Sequence, residues 1–306
     1  MRRMTLIVVA LLAAIGEAAA HAGDHAAGQS PWLAWSWDPW VVVPILAAGV
    51  LYGIGVGRLW RTAGVGTGVR RWQAGAFGLG WLVMALALTS PVDLLGESLF
   101  WVHMVQHELL ILVAGPLLVL GAPPIAFLWA LPQGWRRALG GAVRLEAWRA
   151  VWRGVSNPLS AWGLHAVLLW GWHAPPLFEA SLASDGVHTL QHLSFLGSAL
   201  LFWLAILRTG AGAWGRGAAA IAVFTTAVHS SALGALLTFA PEVWYPSYHA
   251  TAPAYGLSAL EDQQLGGLIM WVPGGVVFLV AGLVLTALWL READHRVRRH
   301  EQRAGL

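Results

Sequence analysis

The sequence predicts an all-α membrane protein: a seven-helix transmembrane bundle behind an N-terminal signal peptide, with the mature N-terminus outside and the C-terminus cytoplasmic. Three observations carry this. Of 306 residues, 58% are hydrophobic and only 11% charged, against roughly a quarter charged in a soluble domain. Apolar runs approaching the roughly 20 residues that cross a bilayer's hydrocarbon recur along the chain. The arginines fall only in alternate connections between those runs, which is the charge asymmetry of the positive-inside rule.

The chain divides into four parts. Residues 1–20 have two Arg, an apolar run and the small residues Ala18-Ala19-Ala20, the pattern of a cleaved signal peptide. Residues 21–38 form an outer tail bearing His21 and His25. Residues 39–290 hold the seven spans, and 291–306 form a basic cytoplasmic tail. The spans are expected near 40–59, 73–90, 99–120, 159–173, 188–207, 218–240 and 265–288. The third is expected to continue, kinked, through Pro123-Pro124 to Leu131. The fourth is short. Gly49, Gly53 and Gly57 present a small-residue face on the first span, read as helix packing.

Arg58, Arg61, Arg70 and Arg71 follow the first span. Arg136, Arg137, Arg144, Arg149 and Arg153 follow the third, Arg208 and Arg216 the fifth, and Arg291, Arg296, Arg298, Arg299 and Arg303 the seventh. The remaining connections carry no Arg. The basic side is therefore cytoplasmic, and the signal peptide independently requires the same orientation.

Composition also excludes chemistry. There is no cysteine, hence no disulfide, no thiolate metal site and no iron–sulfur cluster. All eighteen basic residues are Arg. Without lysine a retinal Schiff base is impossible, so the seven-helix count does not imply a rhodopsin. No Ser–His–acid or paired-carboxylate arrangement stands out, and the chain is not expected to be an enzyme. Nothing points to nucleic acid.

The polar residues inside the spans need a reason, because ionisable groups in hydrocarbon are costly. His103 and His107 lie in the outer part of the third span, and His188 and His192 open the fifth. His173 closes the fourth on the outside, and His229 lies midway down the sixth. Residues i and i+4 share a helix face about 6 Å apart along the axis. Each HxxxH therefore offers two imidazoles to one side, and two such pairs on parallel spans meet at one depth. Imidazole suits copper, zinc, iron and nickel. A single buried His is ordinarily a hydrogen-bonded packing residue; two matched pairs are not explained that way. Met104 points away from both of its neighbours. The outer loops carry Asp38, Asp93, Glu97, Glu179, Asp185, Glu242, Glu261 and Asp262, an acidic surface that attracts cations. Asp262 is open to three readings: a metal ligand, an acceptor for a ligand imidazole, or a helix N-cap.

The stretches "HMVQHELL", "WHAPPLFEASL", "VHTLQHLSFLGSALLFW", "LGALLTFAPEVWYPSY" and "DQQLGGLIMWVPGG" resemble the multi-pass CtaG family of cytochrome c oxidase assembly factors, over about residues 39–290. The resemblance implies a multi-pass protein of the bacterial plasma membrane that helps mature a haem–copper oxidase at its copper centres. It implies oxidase subunits and the lipid bilayer as partners and copper as the bound ion. The family's motif positions carry over onto His103, His107, His173, His188, His192 and Asp262; His229 joins them only through its place inside a span. Two other functions stay open. One is haem-b electron transfer, with a single haem held by one His from each pair. The other is copper transport, with His165 and His229 continuing the path inward.

Cleavage after Ala20 makes His21 the new N-terminus, with His25 close behind. The free α-amine, which titrates near pH 7.7–8.0 unperturbed, and an adjacent imidazole can chelate copper together. Intact-mass measurement of the membrane-purified protein checks this: the expected mature chain begins at His21, and any other start removes the amine from the ligand set.

Overall fold

The structure is a computed structural model that describes residues 31–207 and 215–304. The expected signal peptide, His21 and His25 lie outside the described residues. Every regular element among the described residues is helical. In chain order they are α1 (Pro39–Ala63), α2 (Arg71–Thr89), α3 (Pro91–Ser98), α4 (Phe100–Leu120), α5 (Pro123–Ala130), α6 (Gln133–Ala142), α7 (Glu146–Val155), α8 (Pro158–His173), α9 (Pro175–Ala183), α10 (Asp185–Leu207), α11 (Arg216–Thr238) and α12 (Ala259–Ala304). Short 3₁₀ turns sit at Pro31–Leu33, Pro246–His249 and Ala252–Tyr255.

Local chemistry explains the starts. Asp38, Ser90 and Asn157 each accept a hydrogen bond from the amide two residues on, and each is followed by a proline. The side chain satisfies one orphan N–H, and the proline supplies a helical φ where its missing N–H costs nothing.

Among the described residues, six helices are long and apolar enough to cross a membrane: α1, α2, α4, α10, α11 and the part of α12 up to His295. The fourth expected span forms α8, but with 16 residues it is about 24 Å long, short of the roughly 30 Å hydrocarbon thickness. The third span does not continue through a kink. It stops at Gly121, and Ala122 takes a left-handed conformation (φ 49°) before α5 begins. Within α4, residues Leu109–Ala114 form a π-helical turn. Pro116 has no N–H to continue the regular ladder, and the Trp203 indole donates to the Ile111 carbonyl across 2.9 Å.

Packing places the histidine-bearing helices at the centre. In the most apolar stretches of α4 and α10, 61% and 50% of residues are buried, against 22% in α1, α2 and α12. α4 and α10 lie against each other, with α2 and α12 on the outer flanks of α4. α11 and α12 approach so closely that a Cβ on Gly234 would lie 2.8 Å from the Gly267 carbonyl oxygen. Of the expected small-residue face on α1, only Gly49 is in close packing, where a Cβ would lie 2.9 Å from the Trp81 ring. Gly53 and Gly57 meet nothing, whereas Gly55 packs onto the backbone of Ala126 in α5, because α1 turns a different stripe toward its neighbour.

α6 and α7 lie outside this packing, and neither has a buried residue. Trp135, Ala138, Leu139 and Ala142 share one face of α6; Trp148, Val151, Trp152 and Val155 share one face of α7. Arg136, Arg137, Arg149 and Arg153 take the other sides. Such helices bury their apolar stripe in the headgroup region and hold anionic lipid with their cations. A spin label on Val151→Cys, unique in this cysteine-free chain, should be accessible to oxygen and shielded from water-soluble relaxants in anionic vesicles. A label on Ala150→Cys should show the reverse.

Candidate metal centre

The two HxxxH pairs converge. The His103 and His107 rings on α4 are 4.3 Å apart between centroids, and His188 and His192 on α10 are also 4.3 Å apart. Across the helices His103 lies 5.4 Å from His188, and His107 lies 5.4 Å from His192. A nitrogen from each of His103, His188 and His192 lies within 4.8 Å of the other two. His173, at the end of α8, stands at the edge of the group, 6.3 Å from His107. His103, His107, His173 and His192 are buried; His188 is half-buried.

Aromatic side chains wall the cluster. Phe178 packs on His103 at 5.1 Å, and Phe195 on His107 at 4.6 Å. The connection between α11 and α12 folds over it. Tyr245 donates to the His173 carbonyl at 2.8 Å and Tyr248 to the Gly96 carbonyl at 3.0 Å. Burial holds both phenols above the usual range, so both stay protonated donors.

The polar groups are unevenly satisfied. Both ring nitrogens of His103 and of His107, and Nε2 of His173, His188 and His192, have no hydrogen-bond partner. The His173 Nδ1 lies 2.7 Å from the Leu169 carbonyl oxygen. Since a carbonyl only accepts, the proton sits on Nδ1 and the Nε2 lone pair is free. Buried polar atoms are normally paired, and leaving one unmade costs about 1–3 kcal/mol. A cluster of unpaired imidazole nitrogens is therefore a donor set that fits a metal. Three nitrogens 2.0–2.1 Å from a common ion stand about 3.4–3.6 Å apart, so side-chain shifts of up to about 0.7 Å each close the shell around His103, His188 and His192.

Not every expected ligand joins. Asp262 sits at the N-terminus of α4, where Oδ2 accepts from the Phe100 amide (2.7 Å) and Oδ1 from the Trp101 amide (3.0 Å). It is a helix cap, but of α4, 162 residues away; its own helix opens with Ser258 and Glu261 bonded to each other. His229 lies elsewhere, with its Nδ1 accepting from the Trp170 indole at 3.3 Å and its ring beside Trp162. His165 contacts the Ser198 hydroxyl at 3.0 Å. Met104 turns away toward Gly266 on α12.

Two residues near the site were missed from sequence. Gln106 and Gln191 are both fully buried, and each immediately precedes the second His of its pair, so both pairs read H-x-x-Q-H. That echo was the available signal. The Gln106 amide nitrogen donates to the Ala87 carbonyl and to Asp93, and the buried Gln191 amide faces His103 without completing a well-formed hydrogen bond. Glu108, next to His107, instead directs its carboxyl at Gly274 on α12.

The sequence matches the cytochrome c oxidase caa3 assembly factor family (Caa3_CtaG) over residues 50–292. The chain belongs to the Caa3_CtaG family. It is 29% identical over 272 residues to uncharacterized proteins of Mycobacterium bovis and Mycobacterium tuberculosis, covering 84% of this chain and 40% of theirs. A Mycobacterium leprae protein, also uncharacterized, is 26% identical over 281 residues, covering 88% and 41%. The chain thus spans about two fifths of the length of these curated relatives. No solved structure matches.

In this Caa3_CtaG chain the imidazoles inherit their position from Asp262. Removing a capping side chain costs about 0.5–2 kcal/mol, and here it also leaves two amides buried against α12. Asp262→Ala should lower the melting temperature and weaken metal binding together. Asp262→Asn, which keeps one acceptor, should recover part of both. Calorimetry with a metal titration checks the pair.

Proposed function

We propose that this chain is a cytochrome c oxidase assembly factor that holds copper at the cluster of His103, His107, His188 and His192, with His173 at its edge, and aids maturation of an oxidase copper centre. The convergence of two HxxxH pairs with unpaired nitrogens carries this reading, and family membership sets its context. Copper is cargo here, and the chain's own chemistry is ligation and release rather than catalysis. The fit is to an ion that takes imidazole ligands. The reading places the chain in the bacterial plasma membrane as a seven-span protein, α8 being the short fourth crossing, with the cluster toward the outer face and the Arg-rich ends cytoplasmic.

The geometry favours an ion over a haem. A macrocycle needs a flat slot between its axial imidazoles, and Phe178 and Phe195 pack directly on the rings that would flank it. It favours cargo holding over transmembrane transport as well. His165 and His229 each contact a protein partner, and the opposite end of the bundle carries Arg.

His107→Ala and His192→Ala should each lower copper affinity at least about tenfold while leaving membrane insertion intact. Oxidase activity in cells carrying them should fall with copper content. Elemental analysis of the purified variants, with oxidase assays on the membranes, makes the test. Unchanged copper content and normal oxidase would overturn the proposal, as would a Soret band in the wild-type protein.

A further inference from the structure

A cavity of about 1210 Å³ opens beside the imidazoles, between α1 on one side and α3 and α10 on the other. His188 and His192 form part of its wall, as do Asp38, Asp93, Glu97 and Asp185. The four carboxylates come from three separate helices: Asp38 caps α1, Asp93 and Glu97 lie in the first and last turns of α3, and Asp185 opens α10. No Arg among the described residues lines the cavity. Its deeper wall is apolar, with Met84, Leu110 and Leu196. Trp35, Trp37 and Trp40, all exposed, belong to the segment that closes the near side.

The acids alone would mean little, because outer loops without Arg collect acids by default. The second observation is His192. It is only 9% exposed and its ring borders the cavity, while its unpartnered Nε2 is shut away from solvent behind that ring. His188 does the same with its own unpaired Nε2. The remaining members of the cluster are walled by Phe178, Phe195 and the loop carrying Tyr245 and Tyr248. The acid-lined cavity therefore meets the donor set at its α10 side.

We infer that this cavity is a cation-selective vestibule through which a positively charged ion reaches His188 and His192 before it is shared with His103 and His107. The inference rests on the reading of the imidazole cluster as a metal site and adds the route and the charge of what takes it. Asp185 and Glu97 supply the attracting field. A cleft lined by one sign of charge and floored by low-dielectric side chains concentrates the opposite ion and speeds its arrival by about ten- to a thousand-fold, an effect that added salt removes. Ions with negatively charged ligand shells, such as copper held by a polycarboxylate chelator, are turned away.

The absence of cysteine gives a test that does not depend on metal binding. Thr189→Cys places one thiol in the cavity wall. Its modification rates with a cationic trimethylammonium-ethyl and an anionic sulfonato-ethyl methanethiosulfonate are compared, each normalised to a small free thiol. The cationic reagent should be favoured at least about tenfold, and the preference should collapse at high ionic strength and in Asp185→Asn/Glu97→Gln. Equal rates for the two reagents, or a thiol that neither reaches, would overturn the vestibule. A parallel arm follows capture of free copper by the wild-type sequence and the double variant. Slower capture with unchanged final stoichiometry supports the route; identical capture rates overturn it. A wild-type protein that shows the reagent preference but takes up no copper would sink the metal site and leave the cation-selective cavity standing.

Discussion

Two hydrogen bonds from the Asp262 carboxylate to the amides of Phe100 and Trp101 set where α4 begins, and the depth and facing of its imidazoles follow from that start. The first amides of a helix have no intrahelical partner. In most helices a side chain one residue upstream fills that role. Leu99 cannot, so the acceptor is supplied by α12 across the bundle. One carboxylate thereby joins the two helices, and Phe100, held by it, stacks into the Tyr245 and Phe178 rings that close over the cluster. Depth on α10 is set differently, by its packing on α4, α8 and α9.

The cluster is built from groups that folding would ordinarily satisfy. Unpaired imidazole nitrogens surrounded by phenylalanine are unfavourable in an apo protein, and the surrounding structure has to hold them in place. The aromatic walls, the clamp by Tyr245 and the fixed tautomer of His173 do so. An ion that replaces missing hydrogen bonds with ligand bonds recovers that cost. The same walls keep water from His103 and His107, and only the α10 imidazoles border the cavity.

The all-helical architecture and the convergence of the two histidine pairs were legible because each depends on short-range periodicity. A span is a run of apolar residues, and HxxxH is one turn of helix. What was not legible depends on distant partners. Asp262 stays open between ligand, imidazole acceptor and cap of its own helix until the structure sets it beside Phe100. His229 resembles its fellow histidines in hydropathy, yet its helix turns it toward Trp170 and Trp162. Gly53 and Gly57 have the right spacing for a packing face, but the stripe that meets α5 runs through Gly55. The left-handed Ala122 was hidden for another reason. A proline pair after a long apolar run is compatible with either a kink or a stop, and local sequence does not choose between them.

The shortness of α8 has a consequence for the membrane itself. A 16-residue helix cannot match a bilayer of ordinary thickness, and hydrophobic mismatch is relieved by thinning the lipid around it, at fractions of a kcal/mol per ångström. α8 lies at the flank of the bundle, against α10 and α11, and ends at His173. On the seven-span reading proposed above, the lipid beside α8 would be drawn inward, and the polar headgroup layer would dip toward the edge of the imidazole cluster on that side. A membrane-embedded client approaching along this flank would then cross less hydrocarbon to reach the histidines than one approaching along α1, whose 25 residues are long enough for the full layer. On that reading the bilayer, deformed by one short helix, becomes part of how the protein presents its site to a neighbour.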